Sequence, residues 1–246
     1  MARPADPHAR ASLITAARKE FVRVGIQRAR IEDITAACGL SKGAFYLHFE
    51  SKESLFRELC KALEAKFDEL TVSRDAAYGA LIAASKPSRK KDVSQFVAAM
   101  AEIDAREDRH LLELLWDWRD VTDVLLRGSQ GTEFDGVMWT MLDREVERVM
   151  AQCQQLERVR LVRADVPVEV VGMMLVGTYL LVARRMAKMA QKPDFDHWVR
   201  SLQTLIANGI STRSADGSAG ALTPATNLFP AAKTSKTSVS RKKRTA

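Results

Sequence analysis

The segment GLSKGAFYLHFESKESLF, which spans 39–56, gathers side chains suited to binding a charged partner. Phe45 and Phe49 lie four residues apart and would share one face of a short helix. Lys42 and Tyr46 are also four apart, and they would project from a different face. An ordinary core helix would explain the phenylalanines alone. The second face adds a cation and a phenol hydroxyl, which is the chemistry of a surface that meets an anion.

The flanking sequence predicts short helices that would hold this segment in place. Apolar residues recur at helical spacing over 11–24, and Gly25 is suited to cap the C-terminus of that helix. A second, short helix is predicted over 31–38. Ser41 offers a hydroxyl to the free amides at the start of a third helix, and Ser51 does the same for a fourth.

The rest of the chain indicates helices and no run of alternating strands, so the predicted fold class is all-α. The fourth helix is expected to end near Val72. Later helices are predicted, in chain order, over 75–84, 92–105, 108–127, 136–155, 167–190 and 194–207. The charged clusters DAREDRH and DREVERVM within them are interpreted as solvated helix faces. The longest apolar run, 170–183, is shorter than the roughly 20 residues that span a bilayer, so it is interpreted as a buried helix.

Charge is distributed unevenly along the 246 residues, whose net charge is +7. Residues 1–53 carry nine Lys/Arg against six Asp/Glu, and residues 54–210 carry 22 against 24. Residues 211–246 carry seven against one, in a composition rich in Ser, Thr, Ala and Gly. We therefore expect a nearly neutral body, a disordered basic tail, and an acidic partner that meets the ends of the chain.

The cysteines argue against a disulfide framework and against a metal site. Cys38, Cys60 and Cys153 are odd in number and far apart, with no CxxC pair and no histidine at metal-ligand spacing. No cofactor motif is found. A reducing cytoplasm is the expected compartment, and the N-terminal residues lack the apolar stretch of a signal peptide.

A short helix, a turn with a glycine and a second short helix form the helix-turn-helix arrangement, whose second helix lies in the DNA major groove. The sequence GIQRARIEDITAACGLSKGAFYLHFESKESL resembles the N-terminal DNA-binding region of the TetR (tetracycline repressor-like) family of bacterial transcriptional regulators. The resemblance covers roughly 11–57. It rests on the order of Gly39, Ser41, Gly43, Tyr46, His48, Phe49, Lys52 and Leu55.

The resemblance implies two sets of DNA contacts. The base-facing positions are Lys42, Gly43, Ala44 and Leu47. The phosphate-facing positions are Tyr46, His48 and Lys52. The family usually has threonines at the start of the second helix, where this chain has Ala29 and Arg30, so the capping hydroxyl is missing while Arg30 can still contact a phosphate. Tyr46 also fits a core aromatic and His48 an interior histidine, and those alternatives stay open.

The resemblance also implies a three-part organisation. Residues 1–56 would form the helix-turn-helix domain, 57–210 a larger helical domain for effector binding and dimerisation, and 211–246 the tail. The surplus apolar surface of 167–190 and 194–207 favours a two-fold homodimer contact. The methionine and tryptophan content of the central helices, without clustered charge, favours a small apolar effector, with Trp116 and Trp139 as candidate contacts.

The predicted function is that of a sequence-specific regulator, in the family's commoner mode a repressor, which binds a palindromic DNA operator and is released by the effector. No membrane partner is expected. A helical enzyme is the first alternative, but we find no nucleophile and base at a known spacing and no phosphate loop, so the chain is predicted not to be an enzyme. A DNA-packing protein without sequence preference, driven by the basic tail, is the second alternative.

Overall fold

The computed structural model of the chain describes residues 7–84, 90–158 and 165–209, so the predicted tail lies outside the described residues. The described ranges are helical, with no strand among them, which confirms the all-α prediction. The helices are α1 (Pro7–Arg28), α2 (Ile31–Ala37), α3 (Lys42–Tyr46), α4 (Lys52–Ala84), α5 (Lys90–Asp117), α6 (Arg119–Arg127), α7 (Val137–Arg158), α8 (Val168–Met186) and α9 (Phe195–Gly209).

The first three helices and the start of α4 enclose an apolar core. Phe21, Phe45 and Phe56 are fully buried there, and the rings of Phe21 and Phe56 meet edge to face at 5.3 Å. The helices α2 and α3 have seven and five residues, too few to be stable in isolation. Burial against α1 and α4 therefore holds both in place.

The predicted serine caps are confirmed. The Ser41 hydroxyl accepts a hydrogen bond from the Ala44 amide at 3.1 Å. The Ser51 hydroxyl accepts from the Ser54 amide at 3.0 Å, and the Ser54 hydroxyl accepts in return from the Ser51 amide at 3.1 Å. Arg30 precedes α2 without a side-chain cap, as the missing threonine predicted.

Three predicted helix boundaries are wrong. The predicted break after Val72 is absent because α4 is continuous to Ala84, and α5 likewise runs through the predicted gap at 106–107. The helix predicted over 108–127 is instead interrupted at Trp118, which has non-helical backbone angles. The interruption exposes carbonyl groups, and arginines bond to two of them: Arg18 to that of Asp117 at 2.8 Å, and Arg119 to that of Trp116 at 2.6 Å.

Gly25 interrupts α1 with non-helical backbone angles at the predicted cap, and a short helical segment continues beyond it to Arg28. The Gly25 φ of 76° lies in the left-handed region that favours glycine. A Cβ atom at Gly25 would lie 3.1 Å from the Gly128 carbonyl oxygen, and that oxygen accepts a hydrogen bond from the Ile26 amide at 3.1 Å. The glycine therefore lets the end of α1 lie directly against the end of α6.

Helices α4 to α9 form the larger part of the described chain, in which α7 packs on α8 and α9 packs on α5. The core of α1–α3 continues into it through Val121, Leu125 and Phe134. The predicted domain boundary after residue 56 falls inside the continuous α4, and it stays a prediction.

Candidate functional site

The helix α3 is short and presents two unlike faces. Gly39, with φ of 68°, makes the turn that separates it from α2. Phe45 is fully buried on the inner face, whereas Tyr46 is 51% exposed and Leu47 is 65% exposed. Lys42 is exposed on the same outer side. Tyr46 is the last residue of α3 and Leu47 is its C-cap, so this end of the helix offers a phenol and an apolar side chain to a partner.

Lys42 holds an ion pair within the helix-turn-helix unit. Its ammonium lies 2.6 Å from a carboxylate oxygen of Glu32 on α2. The hydrogen bond to Glu32 raises the pKa of Lys42, and the same bond lowers the pKa of Glu32. Both side chains are exposed, so a DNA base or phosphate that approaches Lys42 would compete with Glu32 for its ammonium.

Lys52 is bonded inside the protein. Its ammonium donates to the carbonyl oxygens of Gln27 at 2.9 Å and Ala29 at 2.8 Å, and its side chain is only 18% exposed. These carbonyls follow the kink in α1 and precede α2. Lys52 therefore ties the start of α4 to the α1–α2 connection, a role that the sequence did not suggest.

The other predicted DNA contacts differ in exposure. Arg30 and Gly43 are exposed, and Ala44 and His48 are half-buried, with the His48 ring 6.4 Å from the ring of Phe49. A Cβ atom at Gly43 would meet only the Ser41 hydroxyl, at 3.7 Å. The packing of the protein itself therefore does not require a glycine there. The DNA-contact roles of all these residues stay predictions.

A cavity of about 460 Å³ lies in the larger helical part, a size typical of small-molecule sites. Side chains from α4 to α9 line it, and most of them are apolar. Those with apolar chains include Phe67, Leu70, Met100, Leu111, Met138, Met141, Leu175 and Val176.

Charged groups also meet in this cavity, so the predicted absence of clustered charge is wrong. Arg74 on α4 pairs with Asp108 on α5 at 3.2 Å, and the amide of Gln203 on α9 donates to the other Asp108 oxygen at 3.0 Å. The Tyr78 hydroxyl donates to Asp104. The cluster DAREDRH is correspondingly not a solvated face throughout, because Asp108 is 6% exposed.

The helix α6 connects this cavity with the helix-turn-helix unit. Thr122 on one of its sides lines the cavity. On another side, Asp120 accepts two hydrogen bonds from Arg18 of α1, at 2.6 and 2.5 Å. The end of α6 meets Gly25, and just beyond it the ring of Phe134 contacts Phe56 at 4.9 Å. A shift of α6 would thus displace the residues of α1 and α4 that contact it or Phe134.

Residues 13–59 match the family model described as bacterial regulatory proteins, tetR family. This N-terminal region is therefore similar to the DNA-binding region of the TetR family.

Curated relatives match the chain in the same N-terminal region. The HTH-type transcriptional regulator YerO of Bacillus subtilis is 49% identical over 41 residues, which are 17% of this chain and 14% of YerO. The HTH-type transcriptional regulator TtgR of Pseudomonas putida is 36% identical over 61 residues, 25% of this chain and 29% of TtgR. The matched regions therefore span less than a third of either relative.

A solved structure extends the likeness to the larger helical part. A TetR-like transcriptional regulator from Rhodococcus sp. RHA1 superposes with a TM-score of 0.56 over 84% of this chain and 100% of that one. The identity is 19%, so this similarity concerns the fold. It agrees with a TetR-type arrangement of an N-terminal helix-turn-helix and a larger helical part.

The tryptophans predicted to contact an effector are not among the residues that line this cavity. Trp116 is buried in a cluster with Leu112 and Met186, and the guanidinium of Arg119 stacks on its ring at 4.0 Å. Trp139 is 56% exposed. Neither lines the cavity, and the residues that do line it become the candidate ligand contacts.

The described helices contain none that is long and apolar enough to cross a membrane. Within the same residues, no group of three or more His, Cys, Asp or Glu side chains is arranged to hold a metal ion. The thiols of Cys60 and Cys153 are buried, and burial raises the pKa of both, that of Cys60 to about 12. Both fit apolar packing better than reactive roles.

Proposed function

We propose that the chain is a sequence-specific transcriptional regulator that binds a palindromic DNA operator as a homodimer in the bacterial cytoplasm, and that a small molecule in the cavity releases it. The observation that carries the proposal is the outer face of α3. Lys42, Tyr46 and Leu47 are exposed there, opposite a fully buried Phe45. A helix of this kind suits the major groove, where Lys can bond to guanine and an apolar side chain can touch a thymine methyl.

Gly43 supports this interface because its packing surroundings leave room for a larger residue. Glycine in a helix costs about 1 kcal/mol relative to alanine. Close approach of the α3 backbone to DNA gives a reason for a glycine that the rest of the protein does not require. Gly43→Ala should therefore keep or increase stability while it weakens DNA binding.

The experiment that tests the proposal is a gel-shift comparison between DNA from upstream of the chain's own gene and random DNA of equal length and composition. A regulator binds the upstream fragment more tightly and protects a discrete site. Equal affinity for both DNAs would instead favour the DNA-packing alternative, whose binding depends on phosphates alone.

The dimer proposal rests on an apolar stripe along α8. Val170, Met173, Met174 and Leu181 are about half or more exposed, and Leu205 on α9 is 71% exposed. The spacing of the α8 residues places them near one face of the helix. Exposed apolar surface of this extent favours contact with a second copy over contact with water.

Leu181→Glu should therefore give monomers in sedimentation and should weaken operator binding, because a palindrome needs two joined half-sites. The matched control is Val72→Glu, at a 68% exposed valine on α4 outside the stripe. A stable monomer for the unaltered protein would contradict the dimer proposal.

Release by the effector would proceed through α6. Thr122 would sense the occupied cavity, and Asp120 and Gly128 would pass a displacement to Arg18 and Gly25 of α1. Asp120→Ala should then reduce the effect of a bound ligand on operator affinity more than it changes either affinity alone.

We further infer that the cavity binds its ligand without converting it, since the family is one of regulators. Recovery of a chemically altered ligand after prolonged incubation with the protein would contradict the inference that the ligand is not converted.

A further inference from the structure

Carboxyl groups outnumber guanidinium groups in the lining of the cavity, five to three. Asp104 and Asp108 are one helical turn apart on α5, so their side chains share a face. Arg74 pairs with Asp108. Two further guanidinium groups line the cavity. That of Arg148 donates to Glu145 at 2.9 and 2.7 Å and so is already neutralised. That of Arg144 belongs to an exposed side chain and is not among the groups that shift the pKa of Asp104. Asp104 accepts from the neutral hydroxyl of Tyr78. The Asp104 carboxyl is thus left without a cation of its own.

This excess acid is unfavourable in the empty cavity. Burial raises the pKa of Asp104, and the charge of Asp108 raises it further, while the Tyr78 hydrogen bond and Arg74 oppose the shift. Burial likewise raises the pKa of Asp108. A buried carboxylate is stabilised by a cation within hydrogen-bonding distance. A positively charged ligand would supply the cation that the chain does not provide.

Thr122 gives a second, independent indication of a ligand. It is only 3% exposed and lines the cavity, and its hydroxyl has no hydrogen-bond partner among the described residues. The Tyr179 hydroxyl also lines the cavity, and its interaction with the Asp108 carboxyl lowers the pKa of that carboxyl. Buried hydroxyls are normally bonded, so that of Thr122 is available to a polar group of a bound molecule.

We propose that the effector is an amphipathic cation, an amine or quaternary ammonium compound whose positive group lies against Asp104 and whose apolar body fills the rest of the cavity. The proposal rests on the proposed function in taking the cavity ligand to be the regulatory effector. The apolar lining suits such a body, and Met100, Met138 and Met141 can adapt to its shape.

The direct test uses three probes with the same chain and different head groups: decyltrimethylammonium, decanol and decanoate, titrated into the full-length protein by calorimetry without DNA. The ammonium probe should bind roughly tenfold or more tightly than decanol, with decanoate weakest. Equal binding of ammonium and alcohol, preference for decanoate, or binding of none of the three would each overturn the inference.

Asp104→Asn tests the residue itself. The substituted amide keeps an oxygen that can accept from Tyr78 and removes the charge. The variant should lose roughly tenfold in affinity for the ammonium probe and keep its affinity for decanol. The matched control is Asp143→Asn, at an exposed aspartate on α7 that does not line the cavity, and it should alter neither affinity. Equal losses for both probes would mean that Asp104 only shapes the cavity.

The pH dependence of the unaltered protein provides a readout that needs no variant. The groups around Asp104 are Arg74 and Tyr78 on α4, Asp108 on α5, and Tyr179 on α8. Burial raises the pKa of both tyrosines, so they stay neutral at working pH, and only the carboxyls titrate between about pH 4 and pH 7. Affinity for the permanently charged ammonium probe should rise with pH over that range, while decanol binding stays flat. A flat ammonium profile would contradict a carboxylate contact.

The DNA experiment separates this inference from the proposed function. A protein that binds its upstream DNA specifically but prefers decanol or decanoate remains a regulator with a different effector class. A protein that prefers the ammonium probe but binds all DNA equally keeps its cationic site and loses the regulatory function. Release of specific DNA by the ammonium probe, reduced in Asp104→Asn, would support both.

Discussion

Polar side chains lie on the surface of the helix-turn-helix unit but are buried in the wall of the cavity. Around α3 the interior is apolar, and Lys42, Tyr46 and Leu47 extend into solvent. In the cavity, Asp108 is buried and depends on Arg74 and Gln203 for its bonds. In the first region the candidate binding side chains lie on the surface of a packed core. In the second they line a cavity within the core.

Substitutions on the outer face of α3 should therefore change binding without changing stability, whereas substitutions in the cavity should change both. A side chain on the outer face of α3 contributes little to folding, so its type can suit a binding partner without loss of stability. A buried carboxylate affects both folding and ligand binding, because desolvation acts on it whether or not a ligand is present. The substitutions below test that distinction, from the largest expected effect to the smallest.

Phe45→Ala should reduce the free energy of unfolding by about 3–5 kcal/mol, since the ring is fully buried in the core of α1–α4. Its neighbour Tyr46, on the outer face, is the matched control. Tyr46→Ala should cost less than about 1 kcal/mol, mainly the edge contact with Phe45, and should weaken binding to all DNA sequences. Urea denaturation and gel shifts measure the two effects. Similar stability losses for both would make Tyr46 a core residue.

Gly25→Ala should cost about 1–3 kcal/mol, because alanine is strained at φ 76° and its Cβ would press on the Gly128 carbonyl. The control is Gly79→Ala in α4, where a Cβ would meet no atom within 4 Å. That change should instead stabilise the helix, by up to about 1 kcal/mol. Thermal denaturation of both variants gives the comparison, and an unaffected Gly25→Ala protein would show that the α1–α6 junction is not tight.

Lys52→Ala should reduce stability by about 1–3 kcal/mol, since it removes two hydrogen bonds to the carbonyls of Gln27 and Ala29. Lys42→Ala should leave stability unchanged and lower operator affinity roughly tenfold to a hundredfold, with preference relaxed at one base pair. Salt titrations then test the predicted phosphate contact of Lys52. A slope reduced by about 1 supports the contact, and an unchanged slope leaves Lys52 with its structural role alone.

Asp104→Asn should have only a small effect on folding, and that effect should depend on pH. Because burial raises the pKa of Asp104 above its unfolded value of 3.8, its contribution is fully present below that value and is lost as pH rises through the folded pKa. The variant should therefore gain stability relative to the unaltered protein between about pH 4 and about pH 7. Urea denaturation at both pH values measures the gain, and a constant difference would contradict the raised pKa.

Local signals in the sequence predicted the helix-turn-helix unit well. The turn at Gly39 and the caps at Ser41 and Ser51 depend on residues within four positions of one another, and the apolar spacing that buries Phe45 is equally local. The cavity could not be predicted in the same way. Asp104 and Asp108 belong to a sequence cluster that looks solvated, and their partners Arg74 and Gln203 are 34 and 95 residues away from Asp108.

The sequence by itself determined the all-α class and the outer face of α3, because both follow from periodicity and capping within a few turns of helix, and its N-terminal motif carried the resemblance to the TetR family. Only the tertiary structure decided that α4 and α5 continue through predicted breaks, that the chain breaks at Trp118, and that Lys52 bonds inward. Charged side chains are placed inside or outside by partners from distant helices, and those partners are brought together only when the chain folds.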